Sequence, residues 1–277
     1  MTAGAAREAF YLDDGRGGQM FALYGAPQGG ARGALLFVHA FAEEMNRSRR
    51  MVALASQTFV ADGWAVLQVD LTGCGDSSGE SADASWEAWL SNVDMAIAWL
   101  RERHASPIVL WGLRAGCLVL SDWLSRSGAV HPVMYWQPVS SGRQHMTHFL
   151  LLKVAGETPG DQDAKSIIQG MRSRLDMGGC VDVAGYTVSP GIVRGIEQSV
   201  LDFRAGYQGH IAVLEVTSSG RNELTPILAS FVGRWQQGGM NLSAEVAAGP
   251  AFWLTQEVTV APDLIERSVQ ALARLCP

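Results

Sequence analysis

The sequence predicts an α/β protein, a mostly parallel, doubly wound sheet with a cap insertion. Three observations predict it. Short apolar runs of the kind buried on both faces of a parallel sheet recur at A-L-L-F-V-H (residues 34–39), Trp64 to Asp70, Ile108 to Trp111 and Val130 to Trp136. Between them lie segments with apolar residues at three- and four-residue spacing, so strand and helix alternate through short connections. The alternation breaks after Pro138 and later resumes, which predicts a core of residues 1–138 and 206–277 and a cap of residues 139–205.

Taken in order, Phe10 to Asp13 and Gln19 to Tyr24, joined by D-D-G-R-G-G, read as a hairpin of edge strands. The strand ending at His39 leads into a helix with Val52, Ala55, Phe59 and Val60 on one face and Gly63 as its stop. Trp64 to Asp70 opens into D-L-T-G-C-G-D-S-S-G, a tight exposed loop. Ser85 to Arg103 is the clearest helix, with Trp86, Trp89, Leu90, Val93, Ile97 and Leu100 on its apolar stripe. The strand from Ile108 should stop at Gly112, and a helix should run from Ala115. In the cap, His145 to Val154 and Ala164 to Leu175 read as helices, V-D-V-A-G-Y-T-V as extended, and Pro190 as the opening of a further helix. The core then resumes with I-A-V-L-E-V-T, a helix after Pro226 carrying Ile227, Phe231 and Trp235, a strand near Leu242 to Val246, and a last helix after Pro262.

Composition narrows the function. With 277 residues, 48% of them hydrophobic and 17% charged, the chain supports one large domain. A formal charge of −6 without any Lys/Arg-rich run argues against nucleic acid. The start, M-T-A-G-A-A-R-E-A-F, lacks the pattern of a signal peptide, and no apolar run approaches the roughly 20 residues of a membrane span. Four cysteines without regular spacing suit reduced thiols in the cytoplasm. No cofactor and no metal are expected; a homo-oligomer is left open.

The stretch L-W-G-L-R-A-G holds the main clue. Its turn, G-L-R-A-G from Gly112 to Gly116, has the form of a nucleophile elbow, G-x-S-x-G, with Arg114 where a serine would stand. A guanidinium stays protonated and only donates, so it neither attacks a carbonyl nor acts as a base near neutral pH. The acid of a Ser-His-acid relay is placed at Glu223, in G-R-N-E-L-T-P. No histidine follows it, since the last one is His210, and Phe252 takes the expected position. Cys117 should point into the sheet, and Ser77 and Ser78 read as turn residues. His39, Ala40 and Phe41 mark an oxyanion loop whose backbone donors converge with that of Ala115, and His39 itself reads as a brace. His145 and His148, spaced i,i+3 on a cap helix, read as a surface face rather than a zinc site. Arg114 has two roles open to it. It forms an anion receptor with the helix amino end, or it is satisfied internally by Glu223, Glu43, Glu44 or Asp76.

V-H-A-F-A-E-E-M-N-R-S-R-R-M, D-L-T-G-C-G-D-S-S-G, L-W-G-L-R-A-G, W-Q-P-V-S-S-G and, in the cap, V-D-V-A-G-Y-T-V-S-P together resemble the exosortase A system-associated hydrolase 2 family. The resemblance runs from about Ala34 to Tyr186. It implies an α/β-hydrolase fold and a bacterial cytoplasmic protein from loci for exopolysaccharide production and PEP-CTERM protein sorting. Three functions are then open. The chain binds an acyl, sugar or lipid-linked anion under its cap without turning it over; it is a hydrolase or transferase with an unusual constellation, Glu43 or Glu44 acting on water beside Arg114; or it is a scaffold whose pocket is filled by its own side chains.

Overall fold

The computed structural model describes residues 7–13, 17–105, 107–156 and 164–276. Part of the expected hairpin turn at residues 14–16 lies outside them. The central sheet has eight strands: β1 (Arg7–Asp13), β2 (Gln19–Gly25), β3 (Gly33–Val38), β4 (Trp64–Val69), β5 (Ile108–Leu113), β6 (Val133–Trp136), β9 (Ile211–Thr217) and β10 (Leu242–Ala248). Their order across the sheet is β1-β2-β4-β3-β5-β6-β9-β10. Only the β1–β2 and β2–β4 pairings are antiparallel. Of the two strands expected at the edge, β1 alone is one, because β2 also pairs with β4. A separate hairpin, β7 (Val181–Val183) with β8 (Tyr186–Val188), belongs to the segment inserted between β6 and β9.

Alternation along each strand sorts the core into two layers. Leu35 and Phe37 of β3 face α1 (Glu43–Ala61) and α8 (Pro262–Leu275). Ala34, Leu36 and Val38 face the opposite side, with α2 (Trp86–Arg103), α3 (Ala115–Ser127) and α7 (Pro226–Gln237). Ser85 starts α2 by accepting a hydrogen bond from Ala88 N–H, satisfying one of the free donors of the first turn. The insertion supplies α4 (Gly142–Gly156), α5 (Ala164–Asp176) and α6 (Pro190–Gln198), and Pro190 is the first residue of α6 as its fixed φ favours. The buried faces of α4 and α6 join the layer that holds α2 and α3, which brings the insertion over the carboxyl ends of β3 and β5.

Among the boundaries that differ from the sequence reading, two are set by strand pairing. β5 runs through Gly112 to Leu113 because Gly112 pairs with Val38 and Tyr135, and Leu113 with Trp136, so both flanking strands carry it to the turn. β6 begins at Val133 rather than Val130, since its pairing with β5 starts only there.

Candidate functional site

Arg114 sits between β5 and α3 at φ 54° and ψ −118°, backbone space that non-glycine residues enter at a cost of about 1–3 kcal/mol. Neighbouring main chain holds it there. Its N–H donates to the Trp136 carbonyl at 3.0 Å, and its own carbonyl accepts from Cys117 at 3.1 Å and Val139 at 3.4 Å. The small residue at Gly116 is required by approach rather than by φ: a Cβ there would stand 2.3 Å from the Val38 carbonyl oxygen and 2.6 Å from that of His39. The first turn of α3 therefore abuts the exit of β3, where Ala40 and Phe41 follow. Ala42, the N-cap of α1, adopts nearly the same conformation as Arg114, φ 52° and ψ −129°.

The Arg114 guanidinium is satisfied inside the protein. Its Nε donates to both carboxylate oxygens of Glu44 at 3.2 Å, and Nη2 donates to Oε1 at 3.0 Å. Both side chains are largely withdrawn from water, at 19% and 15% exposure, so the two-pronged contact is worth more than a surface pair. The Trp253 indole covers the guanidinium, with its ring centroid 5.4 Å from Cζ. The other expected partners lie elsewhere. Glu43 is exposed and accepts from Arg47 at 3.2 Å and from the Tyr186 hydroxyl at 2.9 Å. Asp76 is exposed, and its backbone N–H donates to Asp70 Oδ2 at 3.0 Å.

Glu223 is exposed on the approach to α7, without a hydrogen bond or ion pair among the described residues. The buried carboxylate of this region is Glu215 in β9, which accepts from Thr225 N–H at 2.7 Å and faces Arg221 at 3.4 Å. A lone acid in the apolar run I-A-V-L-E-V-T was the signal for it, because a buried charge must be paired. Phe252 belongs to the core, packed against Trp136 and Trp253. The following residue, Trp253, is the one turned toward the elbow.

The histidines divide by their partners. His39 uses both nitrogens: Nδ1–H donates to the Ala40 carbonyl at 2.7 Å and Nε2 accepts from Leu71 N–H at 3.1 Å, and burial holds its pKa down. It ties the loop after β3 to the loop after β4. His145 departs from the expected surface face, which describes His148 alone. The His145 Nε2 is sealed from solvent without a hydrogen-bond partner among the described residues, and its ring meets Phe41 edge-on, with centroids 6.3 Å apart. Burial pushes its pKa down to about 4; Glu44 opposes that shift, while Arg114 and His148 add to it. A neutral imidazole from the cap thus stands within electrostatic reach of the Arg114–Glu44 pair. Sequence spacing carried no signal for this.

The remaining candidates make structural contacts. The Cys117 thiol lies buried under the turn against the Trp136 carbonyl, and burial pushes its pKa well up. Ser77 donates to the Asp70 carbonyl and accepts from Phe21 N–H, and Ser78 accepts from Gln19 N–H, so both serines anchor the glycine loop to β2. Among the described residues, no group of three or more His, Cys, Asp or Glu side chains is placed to hold a metal ion. No helix among them is long and apolar enough to cross a membrane.

Solved structures share this fold over nearly the whole chain. Est1E from Butyrivibrio proteoclasticus, with ferulic acid bound, superposes with a TM-score of 0.67 at 17% identity, over 96% of this chain and 99% of that one. The fold is that of the α/β hydrolases. The α/β hydrolase GrgF from Penicillium sp. sh18 gives a TM-score of 0.60 at 17% identity, covering 98% of this chain and 99% of that one. A highly thermostable carboxyl esterase from Bacillus coagulans, in complex with glycerol, gives 0.60 at 12% identity, with 98% and 99% covered. Residues 29–158 match the sequence profile of the family described as serine aminopeptidase, S33. No curated protein sequence matches the chain. By position in the fold, Arg114 occupies the turn between β5 and α3, Glu44 the first turn of the helix after β3, and Trp253 the loop after the last strand.

Proposed function

We propose that this protein uses the α/β-hydrolase fold to hold a ligand under its cap without turning it over, in the cytoplasm and in the service of the exosortase A and exopolysaccharide system that its motifs resemble. The observation that carries the reading is the Arg114–Glu44 contact, which joins the apex of the elbow to α1 in a clasp. A serine hydrolase needs a hydroxyl or thiol there and an imidazole beside it. In this protein the apex offers a permanent cation, neutralised by a carboxylate and covered by an indole. An anionic ligand at the elbow would have to take the place of Glu44 on Nε and Nη2, or use Nη1, which has no protein partner among the described residues.

A panel of aryl esters and thioesters, together with a fluorophosphonate probe, tests the reading. No turnover and no covalent adduct are expected. Thermal shift with glucuronic acid and acetyl phosphate tests the anion-binding form, since a ligand that favours the folded state raises Tm. That shift should vanish in Arg114→Ala. One observation favours a second reading, a hydrolase or transferase in which Glu44 acts on water: the unpartnered Nε2 of His145 near Glu44. Turnover in the wild type that His145→Phe abolishes would establish that reading and overturn the first.

A further inference from the structure

A cavity of about 330 Å³ opens between the glycine loop after β4, the head of α1 and the β7–β8 hairpin of the cap. Its lining includes neither Arg114 nor Glu44 nor Trp253. The volume falls within the range of small-molecule sites. Its chemistry is lopsided. Phe41, Met45, Trp89, Val188 and Ile192 give it an apolar interior, and the Trp89 indole N–H is already committed to the Thr72 carbonyl at 3.0 Å, which leaves that ring to act as apolar surface.

Its polar side chains are those of Asn46, Glu80, Ser81 and Tyr186. The Glu80 carboxylate has no protein partner among the described residues, and Ser81 lies next to it. The Tyr186 hydroxyl accepts from Asn46 at 2.8 Å and donates to Glu43 at 2.9 Å, leaving a lone pair for one more donor. No Lys, Arg or His lines the cavity. The nearby Arg49 is bound to Asp70 at 3.1 Å. Burial pushes the Cys74 thiol up to about 12, so it is neither an anion nor a nucleophile there.

We infer that this cavity binds an uncharged amphiphile, a hydroxyl-bearing glycoside with an aryl or alkyl aglycone, whose apolar end packs against Trp89 and Phe41 and whose hydroxyls donate to Glu80 and Tyr186. The inference rests on the reading that the protein holds a ligand intact, and it names the chemical class that this cavity takes, apart from any anion at Arg114. An anion of the same shape would meet Glu80 without any compensating cation.

Two probes of matched shape test it: phenyl β-glucoside and phenyl β-glucuronide, which differ by one carboxylate. Calorimetric titration should show the glucoside binding at least about tenfold more tightly than the glucuronide. In Glu80→Gln, which removes the charge and keeps the shape, the ratio should narrow to within about threefold. Ser81→Trp, on the loop after β4, should fill the cavity and abolish glucoside binding while Tm is retained. Failure of the glucoside to bind, equal or tighter binding of the glucuronide, or undiminished binding in folded Ser81→Trp would overturn the inference. Ester turnover is scored separately. Absence of both binding and turnover overturns this inference and leaves the parent reading standing, whereas turnover overturns the parent.

Discussion

His145 should make stability fall in mild acid by an amount that can be worked out in advance. An exposed histidine titrates near 6.5, and in the folded protein burial holds this one at about 4. Its folded pKa is depressed, so the unfolded chain binds the proton more readily. The contribution is present in full above pH 6.5 and is lost as the pH falls toward 4. Relative to pH 7.5, linkage gives a loss of about 1.3 kcal/mol at pH 5.5 and about 2 kcal/mol at pH 5.0. His39, His104 and His131 are shifted in the same direction, so the wild-type profile alone does not isolate His145. His145→Phe does. It keeps the edge-on contact with Phe41 and removes a sealed nitrogen that lacks a partner, so at pH 7.5 it should be neutral or slightly stabilising. Urea denaturation of both proteins at pH 7.5, 5.5 and 5.0 is the assay, and the variant should gain on the wild type by the amounts above. Parallel profiles would refute the reasoning and place the imidazole in water. The elbow is affected too, because a protonated His145 would set a second cation beside Arg114.

Removing one member of the clasp, by Arg114→Ala or Glu44→Ala, should cost about 2 kcal/mol, between the values for surface and buried pairs, and Arg114→Met with Glu44→Leu should recover about 1–2 kcal/mol of the summed loss in a double-mutant cycle. Gly116→Ala should cost about 2–4 kcal/mol in denaturant, because two backbone carbonyls block the new methyl group. Arg114→Ser combined with Phe252→His should yield no esterase activity: Glu223 is exposed, and an imidazole at Phe252 enters the core, where it should lower stability by about 3 kcal/mol. A gain of activity in that double variant would show that the loop after β10 turns Phe252 toward the elbow.

The fold was legible because the apolar pattern is dense where the sheet is buried on both faces. Strand β3 is read directly from its continuous apolar run and helix α2 from the i,i+3/i+4 stripe, and Ser85 marks its helix start as a capping residue should. Failures cluster where a long-range partner decides the outcome. Gly112 looks like a strand end by residue type, yet Val38 and Tyr135 on either side keep it in the sheet. The site followed the same rule. Small flanking residues and a following helix disclosed Arg114 as the apex, but its partner is 70 residues away, and four carboxylates were equally plausible by type. Nothing in G-P-A-F-W decides that Phe252 packs against Trp136 while Trp253, also buried, covers Arg114.

The choice of Glu44 has a physical basis once the topology is known. It lies in the first turn of α1, where unpaired backbone donors and the helix dipole favour a carboxylate before any arginine arrives. The strained turn at Arg114 and the close approach of Gly116 to Val38 set the guanidinium at the same end of the sheet, a short distance from that helix start. Each half of the clasp is therefore placed independently by local backbone, and the pair forms with little ordering left to do. An elbow that elsewhere in this fold strains a hydroxyl toward substrate serves in this protein to aim a cation at a carboxylate. The strained turn is held because the side chain it aims has a partner to meet.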